Sequence, residues 1–246
     1  MINIDLNILK TCSSTNDVAR KEAVNGSLEG SSYLSYSQSN GRGRNKNKWE
    51  SLKGNLFLSS ILRPKKKKIH WHQLSLLIGY SILDALIDFG IDRSIIELKW
   101  PNDVLIENKK VSGILLEAFD NFVIFGIGLN VLKTPKNETK WRATKLNDHV
   151  KNEMTLEQIA YKVLNKIFYN YSIWQNEDFS YFKEKINDNI KNKQKTIEVT
   201  ENSFNKPVNG IFLGLGDNGS LRVKVGATIF DYYSVETISF PLDDLK

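Results

Sequence analysis

The segment GRGRNKNKW at residues 41–49 combines residue types that suit the binding of a phosphate. Its two glycines let the backbone approach an anion, while the guanidinium groups of Arg42 and Arg44 can each donate paired hydrogen bonds. Trp49 closes the segment with an aromatic face on which a flat base can stack. A solvated basic turn is the alternative, because short motifs also occur without function. The segment predicts an anion-binding loop.

A second segment, KWPND at residues 99–103, places a lysine at the end of a predicted strand. Lys99 supplies a point charge that can neutralise an anion, although a surface lysine at a strand end is the plainer alternative. We expect Trp100 to pack in the core and Asn102 with Asp103 to stabilise the following turn.

Hydrophobic periodicity predicts the elements that must position these residues. The first part of the chain mixes strands with helices, and the predicted strands cover residues 2–8, 33–37, 55–62, 95–100, 103–107, 110–118 and 122–131. The predicted helices begin at residues 13–16, 74 and 156 and end near residues 24, 89 and 171, with a polar loop over 132–150. Glycines at 126 and 128 lie inside a strand, where they usually indicate a bulge or a close approach to the backbone.

The last part of the chain is all β. Five short strands are predicted over residues 196–199, 208–215, 221–225, 227–233 and 237–240, which suggests a small barrel. We therefore predict an α/β domain over residues 1–190 and a C-terminal barrel over residues 191–246.

Composition excludes several classes of protein. Hydrophobic residues make up 41% of the 246 residues, which excludes global disorder. Cys12 is the one cysteine, so the chain has neither an internal disulfide nor a thiolate metal cage. We see no signal peptide, no apolar run that could span a membrane, and no ligand spacing among His70, His72 and His149. We expect a cytoplasmic protein whose net charge of +6 permits nucleic-acid binding without establishing it.

Several motifs, taken in chain order, resemble those of biotin protein ligases. They are Ser14-Thr15-Asn16, the pattern Q-x-x-G-R-G-R that starts at Gln38, the strand segment 54–59, KWPND, KVSGILLE at 110–117, GIGLN at 126–130 and A-T-x-L at 143–146. The resemblance is to the short, monofunctional bacterial type that lacks an N-terminal DNA-binding domain.

The resemblance implies both a fold and an activity. The fold would be a mixed α/β sheet like the catalytic core of class II aminoacyl-tRNA synthetases, followed by an SH3-like barrel. The enzyme would activate biotin with ATP to biotinoyl-AMP and then transfer biotin to one lysine of a biotin carboxyl carrier protein, such as that of acetyl-CoA carboxylase. Mg²⁺ would enter with ATP, because no dedicated carboxylate cage is evident. The resemblance also suggests a homodimer, and we expect no specific nucleic-acid partner and no membrane.

The resemblance further implies the site residues. Biotin would contact Ser14, Thr15, Asn16, Gln38, Arg42, Gly43, Arg44, Lys99 and Gly113. ATP and the adenylate would contact Arg42, Arg44, Trp49, Lys99 and Asn130, with Lys99 and Arg44 as the catalytic groups and no metal ligand among them. One position departs from the family pattern, because Asn47 stands where an additional arginine is often found; Lys46 and Lys48 flank it as point charges.

Two other functions compete with this interpretation. Lipoate or octanoate ligases and transferases share the catalytic fold, but GRGR followed by KWPND favours biotin. A basic DNA-binding repressor would need a helix-turn-helix, and Ser14 lies too near the start to leave room for one before the motifs. For Ser14, Thr15 and Asn16, helix capping is the alternative to ligand binding.

Overall fold

Seven strands form a mixed sheet in the order β1-β2-β3-β7-β6-β5-β4. The computed structural model describes residues 2–135, 142–201, 204–233 and 237–239. The strands are β1 (Asp5–Leu9), β2 (Ser31–Ser35), β3 (Leu56–Leu62), β4 (Ile96–Lys99), β5 (Asp103–Ile106), β6 (Lys109–Ala118) and β7 (Val123–Leu129). β1 pairs parallel with β2, and the other neighbours pair antiparallel. The predicted α/β architecture is confirmed.

Helices cover both faces of this sheet. They are α1 (Thr15–Val24), α2 (Gln73–Asp88), α3 (Leu156–Asn176) and α4 (Ser180–Asn187). α2 is apolar on nearly all sides because it lies between the sheet and α3, and Gly90 at φ +91 ends it. α1 packs on the other face, against β2, β3 and β7. The far part of that second face, over β5 and β6, carries polar residues and glycines.

A second sheet follows, with five antiparallel strands in the order β11-β10-β9-β8-β12. Its strands are β8 (Thr196–Glu201), β9 (Phe204–Leu215), β10 (Leu221–Val225), β11 (Thr228–Tyr232) and β12 (Thr237–Ser239). Phe212, Leu221 and Val223 of this sheet belong to the same buried cluster as α2 and α3. The predicted all-β C-terminal part is thus confirmed as a small antiparallel sheet, while the domain boundary near residue 190 stays a prediction.

The structure corrects several element bounds. The strand predicted over 2–8 begins at Asp5, and β9 begins at Phe204 instead of residue 208. α3 continues to Asn176 because Trp174, fully buried, extends its apolar stripe beyond residue 171. Helix α4 was not predicted from the sequence. Residues 136–141 of the predicted polar loop and residue 240 of the last predicted strand lie outside the described residues.

Among the described residues, no helix combines the length and the apolar character that crossing a membrane requires.

Candidate active site

One row of residues crosses the sheet on the face that α1 partly covers. Lys99 on β4 pairs with Asp103 on β5, Asp103 pairs with Gly113 on β6, and Gly113 pairs with Gly128 on β7. Because cross-strand partners point to the same side of a sheet, these residues share one face. The two glycines leave the middle of the row without side chains, so the row is a flat floor with charged groups at one end.

The charged end of the row contains a buried carboxylate between two lysines. Asp103 Oδ1 lies 2.6 Å from Lys110 Nζ, and Asp103 Oδ2 lies 3.4 Å from Lys99 Nζ. Burial alone would raise the pKa of the Asp103 carboxyl, but Lys110 and Lys99 outweigh it and hold that pKa below its usual range. Burial lowers the pKa of the Lys99 amine, against the opposing effect of Asp103. The sequence predicted only that Asp103 stabilises the turn. In the structure Asp103 also pairs with both cations.

Arg44 reaches the same end of the row from the loop at residues 41–49. Its Nη1 donates to Asn102 Oδ1 at 3.5 Å, and Asn102 in turn donates to the carbonyl of Ile114 at 2.8 Å. Burial lowers the pKa of the Arg44 guanidinium. The structure therefore brings Arg44 and Lys99, the two predicted catalytic groups, to one place.

The loop itself is a short hairpin with a turn at Arg44–Lys46. Arg42 and Lys48 form an antiparallel bridge, and Gly43 N–H donates to the carbonyl of Asn47 at 2.7 Å. Gly43 has extended backbone angles, and an added Cβ would lie 3.6 Å from Asn47 O, so the hairpin fold alone does not require glycine there. The side chain of Lys46 lies outside the described part of the structure.

Trp49 lies directly over the glycine floor. A Cβ at Gly128 would clash with its indole, and a Cβ at Gly113 would lie 3.0 Å from Trp49 Cζ3. Lys110 Nζ is 5.4 Å from the centre of the indole ring, a cation–π distance. The indole N–H is buried and has no hydrogen-bond partner among the described residues. The close approach of an aromatic side chain thus explains both glycines, and for Gly128 it confirms the predicted close approach to the strand backbone.

A polar pocket lies beside this floor, where α1 begins. Gln38 Oε1 accepts from the backbone N–H of Thr15 at 2.7 Å and from its hydroxyl at 3.1 Å, while Gln38 Nε2 donates to Ser51 at 3.2 Å. Ser14 is the N-cap residue of α1, yet its side chain makes no capping hydrogen bond. The capping alternative is therefore wrong for the Ser14 hydroxyl, and the Thr15 hydroxyl is oriented toward Gln38.

Asn16 extends the pocket across the sheet. Its Nδ2 donates to Glu117 Oε2 at 2.7 Å, and its Oδ1 accepts from the hydroxyl of Ser59 at 2.6 Å. Ser59 also lies 2.7 Å from the Thr15 hydroxyl. A Cβ at Gly126 would clash with Asn16 Oδ1, so only glycine lets the side chain lie this close to β7. Two strands and α1 thus hold one hydrogen-bonded network.

Arg42 links the pocket to the loop. Its two terminal nitrogens each donate to an oxygen of Asp17 at 2.8 Å, and Nη2 also donates to Glu117 Oε1 at 3.4 Å. The hydrogen bonds with Asp17 raise the pKa of Arg42 and lower that of the Asp17 carboxyl. Arg42 therefore lies beside the residues of the pocket, paired with two carboxylates that were not predicted from the sequence, and its contact with a ligand stays a prediction.

The side-chain amide of Asn130 is buried and hydrogen-bonded within the protein. It is 3% exposed, its Nδ2 donates to the carbonyls of Thr144 at 3.1 Å and Lys110 at 3.5 Å, and its Oδ1 accepts from Asn55 at 3.4 Å. The amide therefore joins β7 to residue 144. Recognition of adenine by Asn130 stays a prediction, and donation by its side-chain amide would require breaking the bonds to Thr144 or Lys110.

Sequence reasoning missed four charged partners in the site, which are Asp17, Asp103, Lys110 and Glu117. Two of them had a usable signal: Asp103 follows Lys99 by four residues across a tight turn, and Glu117 follows Gly113 by four along one strand, which places it on the same face. Among the described residues, no group of three or more histidine, cysteine, aspartate or glutamate side chains could hold a metal ion.

The fold and this site define a mixed α/β protein with a cluster of paired cations on one face of its sheet. Residues 9–131 match the model of the biotin/lipoate A/B protein ligase family. The bifunctional ligase/repressor BirA of Bacillus subtilis is 30% identical over 238 residues, which are 91% of this chain and 70% of that protein. The chain belongs to this family.

Other relatives agree with the assignment. The biotin–[acetyl-CoA-carboxylase] ligase of Mycobacterium tuberculosis is 31% identical over 175 residues, covering 70% of this chain and 65% of that protein. The structure of the biotin protein ligase from Aquifex aeolicus in complex with biotin and ATP superposes with a TM-score of 0.84 at 30% identity, covering 96% of this chain and 98% of that one.

Proposed function

We propose that this chain is a biotin protein ligase, which activates biotin with ATP and transfers it to a lysine of a biotin carboxyl carrier protein. The observation that carries the proposal is the row from Lys99 through Asp103 to Gly113 and Gly128, with Arg44 and Trp49 above it. Family membership and the biotin and ATP bound to the Aquifex aeolicus relative support it.

In the first step, a carboxylate oxygen of biotin attacks the α-phosphorus of ATP, and pyrophosphate leaves. The products are biotinoyl-AMP, an acyl phosphate anhydride, and pyrophosphate. The reacting groups are all anions, so the protein must neutralise and align them more than it must supply a base. Lys99 and Arg44, which lie together at the end of the row, suit this role, and Lys110 is a further candidate because it shares Asp103 with Lys99.

In the second step, the neutral ε-amine of the carrier lysine attacks the acyl carbon, AMP leaves, and the amine loses a proton. The Trp49 indole over the glycine floor offers the stacking surface for adenine. Mg²⁺ enters as the partner of the ATP phosphates. The homodimer, the cytoplasmic location, the lack of specific nucleic-acid binding and the division into domains near residue 190 stay predictions.

The polar pocket favours biotin over lipoate or octanoate. Hydroxyls of Thr15 and Ser59 and amides of Asn16 and Gln38 surround the start of α1. The ureido ring of biotin has N–H donors and a carbonyl acceptor that can pair with such groups. A dithiolane ring or an alkyl chain has no such groups, so it would gain none of the hydrogen bonds that biotin can form there.

The test is ATP–pyrophosphate exchange measured side by side with biotin, lipoate and octanoate. We expect exchange with biotin and a rate at least about a hundredfold lower with the other two acids, the discrimination that unpaired buried polar groups provide. Equal or faster exchange with lipoate or octanoate would instead assign the chain to the other branch of the family. Transfer is then measured with a purified carrier domain and with a variant of it whose target lysine is replaced by arginine.

A further inference from the structure

Lys99 lies at the end of β4, and the segment leading into the C-terminal sheet covers the outer edge of that strand. The N–H of Leu98 donates to the carbonyl of Asn189 at 2.8 Å, and the N–H of Lys191 donates to the carbonyl of Leu98 at 2.8 Å. The Lys191 ammonium, whose side chain is 5% exposed, also donates to Glu97 at 3.3 Å. The strand that carries Lys99 is therefore held in place by the segment that leads into the C-terminal sheet.

Trp100, the next residue, makes a second contact with the C-terminal sheet. It is 5% exposed, and its indole N–H donates to the carbonyl of Gly219 at 3.3 Å, in the turn between β9 and β10. The carbonyl of the adjacent Asn218 lies 2.6 Å from His72 Nε2 and accepts from Gln73 Nε2 at 3.4 Å. This turn is thus docked onto both the KWPND segment and the start of α2.

The turn is held in one conformation. Gly219 has φ +81, and an added Cβ would lie 3.2 Å from Leu76 and from Phe179. Its N–H donates to the carbonyl of Gly216 at 2.9 Å, and Asp217 forms an ion pair with Lys183 at 2.7 Å. The Gly219 carbonyl is therefore a fixed acceptor.

A movement of Trp100 would also displace the site residues that precede and follow it in the chain. Lys99 precedes Trp100 directly, and the carbonyl of Pro101 accepts from the Ser75 hydroxyl at 2.9 Å. Asn102, two residues after Trp100, accepts from Arg44. A catalytic group displaced by about 1 Å can lose about a hundredfold in rate.

We propose that the Gly219 carbonyl is a positioning group for the activation reaction, and that Trp100 is the positioning residue through which it fixes Lys99. The C-terminal sheet then sets the geometry of the first step through a backbone carbonyl. This inference rests on the proposed function, because Lys99 matters only if it neutralises charge during adenylation.

Two variants with matched controls test the proposal in the full chain. Trp100→Phe removes the indole N–H and keeps an aromatic ring, and its control is Trp71→Phe, because Trp71 is 6% exposed and also donates to a backbone carbonyl, that of Lys66, at 2.8 Å. Gly219→Ala strains and shifts the turn between β9 and β10, and so perturbs the same hydrogen bond at its acceptor. Its control is Gly226→Ala, which has φ +59 in the same sheet and nothing within 4 Å of the added Cβ.

Two readouts separate positioning from folding. In pyrophosphate exchange we expect kcat to fall about tenfold to a hundredfold in Trp100→Phe and Gly219→Ala, with the KM for biotin within about twofold and both controls near wild type. Reductive methylation followed by mass spectrometry measures how accessible the Lys99 amine is, and it does so without an activity assay. The Lys99 side chain is only 13% exposed, so a displacement of Lys99 should change its labelling rate. We expect its labelling rate to rise about threefold or more in the two test variants only.

The outcomes distinguish the two proposals. If the wild-type chain exchanges pyrophosphate and each test variant matches its control in kcat, the positioning role is wrong while the ligase function stands. If the wild-type chain shows no exchange with any acid, the ligase function is wrong, and unchanged Lys99 labelling in the test variants would overturn the positioning role as well.

Discussion

Replacing Lys99 by methionine should abolish most of the activation reaction and leave the fold nearly intact. Methionine retains the length and apolar packing of the lysine stem but removes its charge. Loss of a group aimed at developing charge typically costs about a hundredfold in kcat, equivalent to about 2.7 kcal/mol at about 1.36 kcal/mol per tenfold. The stability cost is smaller because Asp103 retains Lys110 at 2.6 Å and is not left as an unpaired buried charge.

The stability cost can be bounded from the same geometry. The lost ion pair is 3.4 Å long, and the burial of Lys99, which already lowers its pKa, no longer opposes folding. We therefore expect a loss of about 1 kcal/mol or less, which is a fall in Tm of about 2–4 °C for a chain of this size. Lys110→Met should cost more, about 2–3 kcal/mol, because it leaves Asp103, whose side chain is only 11% exposed, with only the longer pair at 3.4 Å.

The assay is pyrophosphate exchange with biotin, run beside a thermal melt. Lys166→Met is the control, since it removes an ion pair with Asp88 at 2.8 Å on the helical side of the molecule. Exchange by Lys99→Met within about threefold of the control would remove Lys99 from the reaction. A fall in Tm of more than about 10 °C would make Lys99 a structural residue, and a greater loss of stability in Lys99→Met than in Lys110→Met would refute the pairing argument.

Three further substitutions test the loop and the pocket. Arg44→Gly should release biotinoyl-AMP at least about tenfold faster, because a charge-assisted contact is lost, and an unchanged release rate would contradict the role of Arg44. The Asp17 pKa is lowered in the folded protein, so the contribution of Asp17 to stability is present above its unfolded pKa of about 3.9 and is lost as the pH falls through the folded value. Asp17→Asn should therefore cost about 1 kcal/mol or less at pH 7, since the pair with Arg42 is one-third exposed. The difference in stability from the wild type should shrink as the pH falls below about 3.9, and a difference that does not change with pH would show that the charge is not responsible. Gly126→Ala should weaken biotin binding about tenfold or more by displacing Asn16, as measured by calorimetry, and an unchanged Kd would exclude Asn16 from the pocket.

The fold could be predicted where the hydrophobic pattern repeats clearly. α2 lies within one residue of its predicted bounds, and β10 (Leu221–Val225) matches the prediction because Gly219 and Gly226 separate it from its neighbours. α4 was missed because Phe179, Phe182 and Ile186 are spread among lysines, asparagines and glutamates that hide the helical stripe. The hydrophobic pattern therefore predicts an element well only when residues such as glycine also indicate where that element ends.

The site could be predicted as a set of residues but not as a set of contacts. Gln38 and Thr15 are 23 residues apart and Asn16 and Glu117 are 101 apart, so their pairing depends on which strands become neighbours. The sequence also could not show that the Trp49 indole lies on Gly113 and Gly128, since nothing local fixes where the loop folds. The motifs and their spacing indicate which residues belong to the site, and the strand order β3-β7-β6-β5-β4 determines which of those residues contact one another.

The cations of the site are partly compensated within the protein, and this explains how a basic site can be built on a partly buried face. The cations with named partners each face an anion or an amide, and the pairs are Arg42 with Asp17 and Glu117, Lys99 and Lys110 with Asp103, and Arg44 with Asn102. An unpaired buried charge would cost several kcal/mol, so the carboxylates stabilise the cations in place. Because Asp103 is a single carboxylate shared by two ammonium groups, that end of the row keeps an excess positive charge where Arg44 also lies. A ligand carboxylate or a single phosphate fits this excess, and a full triphosphate exceeds it, which supports the proposal that Mg²⁺ arrives with ATP and neutralises the remaining charge.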